Sequence, residues 1–334
     1  ALAKLEDRVP EEVIKDIAAR LRDDEWYVRG AAVEVLTKLE DRVPEEVIKD
    51  IAARLRDDKW YVRAVAVEVL TKLEDRVPEE VIKDIAARLR DVDSDVRAAA
   101  VEALTVFKDR LPEEVIKDIA ARLRDVVWRV REFAVEALTV FKDRLPGEVI
   151  KDIAARLRDD KWYVRETAVK ALAVFKDRLQ EEVIKDIAAR LRDDEGYVRE
   201  AAVEVLAKLE DRVPEEVIKD IAGRLRDDKG YVRAATVEAL AVFKDRLPEE
   251  VIKDIAARLQ DDDSGVRAAA VEALAVFKDR VPEEVIKDIA GRLQDDDREV
   301  RESAYRTLKI FYESGIPLPG RRNRSLKFRF FSRR

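Results

Sequence analysis

The sequence contains no cysteine, no histidine and no methionine in its 334 residues, and only nine glycines. Without cysteine there is no disulfide bond and no thiolate nucleophile, and without histidine there is no imidazole base. A zinc site of the usual type is excluded with them, because its ligands come mainly from these two residues. We therefore predict no catalytic residue, no metal site and no cofactor, and we expect a protein that is not an enzyme.

The sequence also has no apolar run of 18 residues, the length that a membrane-spanning helix requires. No signal peptide opens the chain. These two absences predict an intracellular, cytoplasmic protein without a transmembrane segment, unless a leader has been lost from the sequence.

A 34-residue unit recurs nine times in the chain. The first copy reads DRVPEEVIKDIAARLRDDEWYVRGAAVEVLTKLE, and its VIKDIA segment is identical in all nine. The copies begin at residues 7, 41, 75, 109, 143, 177, 211, 245 and 279. Residues 1–6 match the end of a copy, so we predict a partial repeat there and expect a fragment, or a processed chain, of a longer array. A repeat array needs no single large core, which fits a content of 42 % charged residues.

Each copy predicts two helices, A and B. Pro10 is expected at the first helical position of helix A, because its fixed φ suits that position and its missing N–H needs no partner there. Apolar residues then follow at helical spacing up to about Arg22. Asp23 and Asp24 are predicted to cap helix B, which extends over about residues 25–40.

The signature D-D-x-x-x-V-R-x-x-A-x-x-x-L, at residues 23–36 and 57–70, resembles HEAT-like repeats. The resemblance covers residues 1–312 and implies an all-α fold, a right-handed α-solenoid of nine two-helix repeats. The tetratricopeptide repeat has the same length but is disfavoured, because helix A lacks its Leu-Gly…Tyr pattern. The near identity of the copies is similar to arrays in some intracellular recognition receptors and to artificial HEAT-like binders.

The resemblance also implies a ladder in which the loop aspartate and the helix B arginine pair between successive repeats. The matching positions include Asp23, Arg29, Asp57, Arg63, Asp91, Arg97, Asp125, Arg131, Asp159 and Arg165. Some HEAT-like proteins are hydroxylases that bind iron through His-Glu pairs. That activity is excluded for a chain without histidine.

The variation between copies falls mainly on helix B, at the position of Trp26 and at i+1, i+4 and i+5 from it, one side of a helix. The i+8 position, that of Glu34, lies on the same side and changes in only two copies, to Lys170 and Arg306. All four tryptophans and five of the seven tyrosines lie in the first two of these positions. Helix B lines the concave face in HEAT-like arrays, so the resemblance implies that this stripe faces a groove. The predicted partner-binding residues are Trp26, Tyr27, Trp60, Tyr61, Trp128, Arg129, Glu132, Phe133, Trp162, Tyr163, Glu166, Tyr197 and Tyr231.

A protein or peptide ligand in the concave groove is the predicted partner, because Trp and Tyr are frequent among the residues that dominate binding interfaces. In the alternative interpretation the aromatics pack on the next repeat and the chain is a structural spacer. A buried packing position is disfavoured, because the same position is occupied by Ser94, Gly196 and Arg298.

The C-terminal segment RRNRSLKFRFFSRR, residues 321–334, has seven basic residues and no acidic one, whereas the whole chain has a formal charge of −7. A linker is predicted at 313–320. The basic tail indicates a weak anionic partner, either anionic lipid or nucleic acid, or a disordered end attracted to the acidic array. The acidic runs 261–263 and 295–297 are typical of calcium ligands, but helix capping explains them better.

Overall fold

The computed structural model describes residues 9–39 and 42–318 of the chain. Within these residues every regular element is helical and no β-strand occurs, so the predicted all-α class is confirmed. Short helices A alternate with longer helices B. The helices A are α1 (Glu11–Ala19), α3 (Glu45–Ala53), α5 (Glu79–Ala87), α7 (Glu113–Ala121), α9 (Gly147–Ala155), α11 (Glu181–Ala189), α13 (Glu215–Gly223), α15 (Glu249–Ala257) and α17 (Glu283–Gly291). The helices B are α2 (Trp26–Thr37), α4 (Trp60–Lys72), α6 (Ser94–Val106), α8 (Trp128–Val140), α10 (Trp162–Val174), α12 (Gly196–Lys208), α14 (Gly230–Val242), α16 (Ser264–Phe277) and α18 (Arg298–Glu313).

Helix A begins one residue later than predicted. Pro10 has an extended backbone, with φ −63° and ψ 149°, so it precedes the helix and Glu11 is the first helical residue. The acidic side chains at 11 and 12 then lie in the first turn, where they complement the helix dipole. The α-helix ends at Ala19, and a 3₁₀ turn of three residues tightens the last turn before the loop.

The prediction that Asp23 and Asp24 cap helix B is wrong in position, because the cap is the residue after them. The Asp23 carboxylate instead accepts a hydrogen bond from the backbone N–H of Glu25 at 3.0 Å and closes the loop. Where the third loop residue is aspartate, its carboxylate accepts bonds from two amides of the first turn, as Asp93, Asp263 and Asp297 do. The acidic runs therefore serve as caps, which is the role that the sequence favoured over calcium binding.

The chain divides into two compact bodies, an N-terminal body that ends at Phe175 and a C-terminal body that begins at Lys176. Within each body, every helix B packs along the helices B before and after it, whereas successive helices A contact each other far less. Apolar residues from both helices fill the space between the layers. In the N-terminal body Ile51, Leu55 and Leu70 are completely buried.

Two predicted segments lie outside the described residues, namely the partial repeat at 1–6 and the basic tail at 321–334. The predicted linker overlaps the last helix, because α18 continues through Glu313 before the chain leaves helical geometry. Gly315 then adopts φ 80°, a left-handed conformation that glycine accepts without strain. Among the described helices, none is both long and apolar enough to cross a lipid bilayer.

Candidate binding surface

Successive repeats are joined by a buried arginine–aspartate fork. Arg29 donates from Nε to Oδ2 of Asp57 at 2.8 Å and from Nη2 to Oδ1 at 2.7 Å, while its Nη1 donates to the backbone carbonyl of Asp23 at 3.0 Å. The Asp57 carboxylate also accepts from the N–H of Lys59 at 3.1 Å. The same fork recurs at Arg63–Asp91, Arg97–Asp125, Arg131–Asp159, Arg199–Asp227, Arg233–Asp261 and Arg267–Asp295. Each fork closes a contact between neighbouring repeats of one body.

Two further predicted ladder residues, Asp23 and Arg165, are held by hydrogen bonds to loop backbone. Asp23 is half-buried and uses its carboxylate for its own loop, as described above. Arg165 is buried, and its Nη1 donates to the backbone carbonyl of Asp159 at 3.0 Å.

The fork lowers the pKa of Asp91 and of Asp295. Burial raises the pKa of Asp91, but the hydrogen bonds from Arg63 and from the N–H of Asp93 outweigh burial and leave the pKa below its usual range. The hydrogen bond from Arg267 holds the pKa of Asp295 well below that range. An ionised carboxylate bound by a planar guanidinium fixes both distance and orientation, so the helices B are held in a defined register.

Aromatic side chains of adjacent helices B meet across the repeats of the N-terminal body. Trp26 lies 5.8 Å from Tyr61 in an edge-to-face arrangement, and Trp128 stacks on Tyr163 with ring centroids 5.2 Å apart. Within α10, Trp162 stacks on Tyr163 at 3.7 Å. These rings are not buried: the exposed fraction is 42 % for Trp26 and 46 % for Trp60. We call this row the aromatic stripe. It consists of the aromatic members of the predicted partner-binding set, namely Trp26, Tyr27, Trp60, Tyr61, Trp128, Phe133, Trp162, Tyr163, Tyr197 and Tyr231.

The ring of Tyr61 packs closely on the preceding helix B, because Gly30 of that helix has no side chain at the point of contact. A Cβ atom on Gly30 would stand only 2.7 Å from Cε1 of Tyr61, closer than carbon atoms approach without displacement. From this position the Tyr61 hydroxyl donates a hydrogen bond to the Glu34 carboxylate. That hydrogen bond raises the pKa of Tyr61. One tyrosine thus connects the aromatic stripe with a carboxylate on the preceding helix.

Helix α8 adds charge to the stripe. Arg129 lies over the ring of Phe133 at 5.5 Å, a cation–π geometry, and pairs with Asp95 of the preceding helix B at 3.7 Å. Glu132 is half-buried between them. Burial raises its pKa, and the neighbouring charges of Glu136 and Glu166 raise it further. Glu166 itself accepts a hydrogen bond from Lys170 at 2.6 Å.

The C-terminal body carries one stacked pair of aromatic residues on adjacent helices B. Tyr197 and Tyr231 stack with ring centroids 5.3 Å apart and an interplanar angle of 13°. Tyr197 is half exposed, and Tyr231 lies partly beneath it. The ring of Tyr231 occupies the space above Gly196, where a Cβ would meet its hydroxyl oxygen at 2.2 Å.

The aromatic stripe therefore has features of both interpretations made from the sequence. Its rings pack on the next repeat within a body, and they still present a large part of their surface to solvent. The binding of a partner by these residues stays a prediction, as does the absence of enzymatic activity.

A row of glutamates lies two helical turns after the aromatic positions, at the i+8 position that the sequence predicted on the same side of helix B. The row comprises Glu34, Glu68, Glu102 and Glu136 in the N-terminal body and Glu204, Glu238 and Glu272 in the C-terminal body, and all seven are exposed. This glutamate position is nearly constant across the copies. Buried scaffold positions are constant as well, so constancy alone does not distinguish an exposed position from a buried one.

The profile of the family described as HEAT repeats matches residues 1–71, 48–139, 116–207, 150–241 and 218–309. The chain belongs to the HEAT-repeat family. These matches cover nearly the whole array that the sequence signature defined. No curated protein sequence matches the chain.

Solved structures of HEAT-repeat solenoids share the fold. Importin beta, crystallised in an ammonium sulfate condition, superposes with a TM-score of 0.69 at 13 % identity, over 92 % of this chain and 47 % of that one. A structure of Kap95p binding to RanGDP gives a TM-score of 0.68 at 15 % identity, over 92 % and 46 %. Kap121p bound to the extreme C-terminus of the protein phosphatase Cdc14p gives 0.54 at 16 % identity, over 91 % and 38 %. The chain thus spans less than half the length of these proteins, and such identities show the solenoid fold alone.

Proposed function

We propose that this HEAT-repeat chain is a scaffold that binds a protein or peptide through the aromatic stripe of its helices B. One observation carries the proposal: aromatic rings from successive helices B contact one another, and Trp26 and Tyr163 among them remain 42 % exposed. Rings fixed in this way lose little conformational freedom when a partner covers them, which favours binding.

The exposed rings are large enough to matter energetically. A tryptophan side chain buries roughly 150–250 Å² when fully covered, so a half-exposed indole offers a partner about 100 Å². At about 25 cal/mol per Å² of apolar surface, covering one such ring contributes roughly 2.5 kcal/mol before the costs of association. Two or three rings covered together would supply the energy typical of a binding hot spot.

The packing within each body supports a concave location for the stripe. Because successive helices B contact one another closely while successive helices A do so much less, the layer of helices B has the shorter arc. A layer with the shorter arc lies on the inside of a curved stack. Binding of a protein also fits the solved structures that share the fold, because Kap121p has been crystallised bound to the extreme C-terminus of the protein phosphatase Cdc14p and to the SUMO protease Ulp1p.

The experiment is a peptide-display selection on the immobilised chain, followed by affinity measurement on the enriched sequences. The test variant replaces Trp26, Trp60, Trp128 and Trp162 by alanine. We expect peptides that bind the native chain to lose roughly a thousandfold in affinity, as removal of two hot-spot residues of about 2 kcal/mol each predicts.

The matched control removes exposed apolar side chains outside the stripe. Val92 and Val126 lie in loops and are 93 % and 89 % exposed, so V92A/V126A removes apolar surface without touching the aromatic rings. Trp60→Ala alone separates binding from folding, because the ring contact that Trp60 makes is with its neighbour Tyr61. Equal binding by the native chain and by a quadruple variant that keeps its helical circular dichroism would refute the proposal.

A further inference from the structure

The C-terminal body carries an acidic surface whose carboxylates are only partly paired with cations. Glu204 on α12, Glu238 on α14 and Glu272 on α16 occupy the same position of three neighbouring helices B, and we call them the glutamate ridge. At one end the ridge is compensated, because Glu272 accepts hydrogen bonds from Ser303 at 2.7 Å and from Arg306 at 2.8 Å. Within residues 176–318, the carboxylates of Glu204 and Glu238 form neither an ion pair nor a hydrogen bond.

The ridge differs from the other charged positions of this body. On the outer turns, carboxylates are matched with cations, as Asp220 is with Arg192 at 2.9 Å and Glu181 is with Lys185 at 2.6 Å. In the ridge, like charges of neighbouring helices face one another. Partial burial and the charges of Glu204 and Glu272 raise the pKa of Glu238, because the ionised carboxylates repel one another.

Aromatic rings border the ridge on the same helices. Tyr197 precedes Glu204 by seven residues and Tyr231 precedes Glu238 by seven, a spacing of nearly two turns that places each pair on one face of its helix. The helical rise separates the two rows by about 10 Å. A ligand that follows the ridge therefore meets carboxylates in one row and stacked phenol rings in the other.

The chain contains a segment of complementary chemistry. Residues 321–334 have seven basic residues, no acidic residue and three phenylalanines. These 14 residues reach about 46 Å when extended, at ~3.3 Å per residue. The ridge extends over two repeat steps of about 10 Å each, and α18 is the helix B next to α16, so the length suffices.

We propose that the basic segment 321–334 docks on the glutamate ridge of its own C-terminal body. Its arginines and lysine neutralise Glu204 and Glu238, and its phenylalanines pack against Tyr197 and Tyr231. Covalent linkage raises the local concentration of the segment to the millimolar range, so weak surface ion pairs suffice to hold it. Such contacts are screened by salt, whose Debye length falls from about 10 Å at 0.1 M to about 3 Å at 1 M.

The absence of cysteine permits a clean distance measurement in the full chain. Nitroxide spin labels are attached to two introduced cysteines, Lys208→Cys at an exposed position of α12 and Ser332→Cys in the basic segment. Electron–electron double resonance then gives the distribution of distances between the two labels. We expect a narrow population at short distance at low salt. Its fraction should fall with rising salt and stay constant on dilution.

The test variant E204Q/E238Q removes the two unpaired carboxylates of the ridge. Loss of two exposed ion pairs predicts a decrease of roughly tenfold in the ratio of docked to free segment. The control E216Q/E250Q removes the same charge from exposed positions on α13 and α15, in the layer of helices A, and should leave the short-distance population intact.

Three results would overturn the proposal. They are a broad distribution in the native chain, an unchanged narrow population in E204Q/E238Q, and a short distance that disappears on dilution, which would indicate docking onto a second copy. Tail docking and partner binding are separable, since all four tryptophans lie in the N-terminal body. Alanine at those four positions should leave the distance distribution unchanged.

Discussion

Two arginines of the same repeat allow a direct test of how burial determines the strength of an ion pair. Arg131 and Arg124 each pair with an aspartate 28 residues further on, at 2.6 Å and 2.8 Å respectively. The Arg131–Asp159 side chains are 9 % and 2 % exposed, whereas those of Arg124 and Asp152 are 72 % and 41 % exposed. The residue types and the sequence separation match, so the two pairs differ in burial and in the number of hydrogen bonds that the arginine donates.

Arg131→Ala leaves the Asp159 carboxylate buried without its two strongest donors. We expect a loss of about 3–5 kcal/mol in the free energy of unfolding of the N-terminal body. Arg124→Ala removes a solvated pair and should cost about 0–1 kcal/mol. Urea denaturation followed by circular dichroism, with hydrogen exchange of the α8 and α10 amides, measures both variants. Similar losses in the two variants, or a loss below about 1 kcal/mol for Arg131→Ala, would refute the reasoning.

Three further predictions concern the helices B. Glu136→Gln should stabilise the N-terminal body at pH 7 in urea melts. Partial burial and the charge of Glu102 on the preceding helix B raise the pKa of Glu136 in the folded state, so the ionised form of Glu136 opposes folding. The gain in stability from the substitution should therefore vanish below about pH 4.3. Gly30→Ala should destabilise the chain by displacing the Tyr61 ring, whereas Gly223→Ala, with open space around it, should stabilise it by roughly 0.5–1 kcal/mol in thermal melts. Asp263→Ala should cost about 1 kcal/mol and increase amide exchange at residues 265 and 266, because it removes the cap of α16.

The helix pair and its repetition could be predicted from the sequence, because apolar spacing and turn residues are local signals. The start of helix A at Pro10 was predicted one residue too early. Proline is compatible with both the first helical position and the cap before it, and only ψ distinguishes them; here ψ is 149°. The cap of helix B was misplaced for a similar reason, since three consecutive loop positions can hold a capping residue.

The candidate surface was predicted less completely, because variation and constancy among copies do not by themselves report burial. The arginine position of the ladder is the same in every copy and is buried, as at Arg63. The glutamate position is nearly as constant and is exposed, as at Glu68. Gly30 counted as a variable surface position, yet it is buried because a tyrosine of the next repeat covers it.

A row of exposed carboxylates lowers the stability of the stack that carries it where partial burial and neighbouring glutamates raise the pKa, as at Glu136 and Glu238. Packing does not require it, because Lys170 and Arg306 occupy the same position on helices B that fold in the same way. The buried arginine–aspartate forks, by contrast, join neighbouring repeats within each body, and hydrogen bonds lower the pKa of Asp91 and Asp295 there. The direction of the pKa shift therefore separates two classes of constant acidic residue. The aspartates stabilise the scaffold, whereas the carboxylates of Glu204 and Glu238 have no ion pair or hydrogen bond within the described residues of the C-terminal body, so a favourable partner for these two would come from outside the described helices.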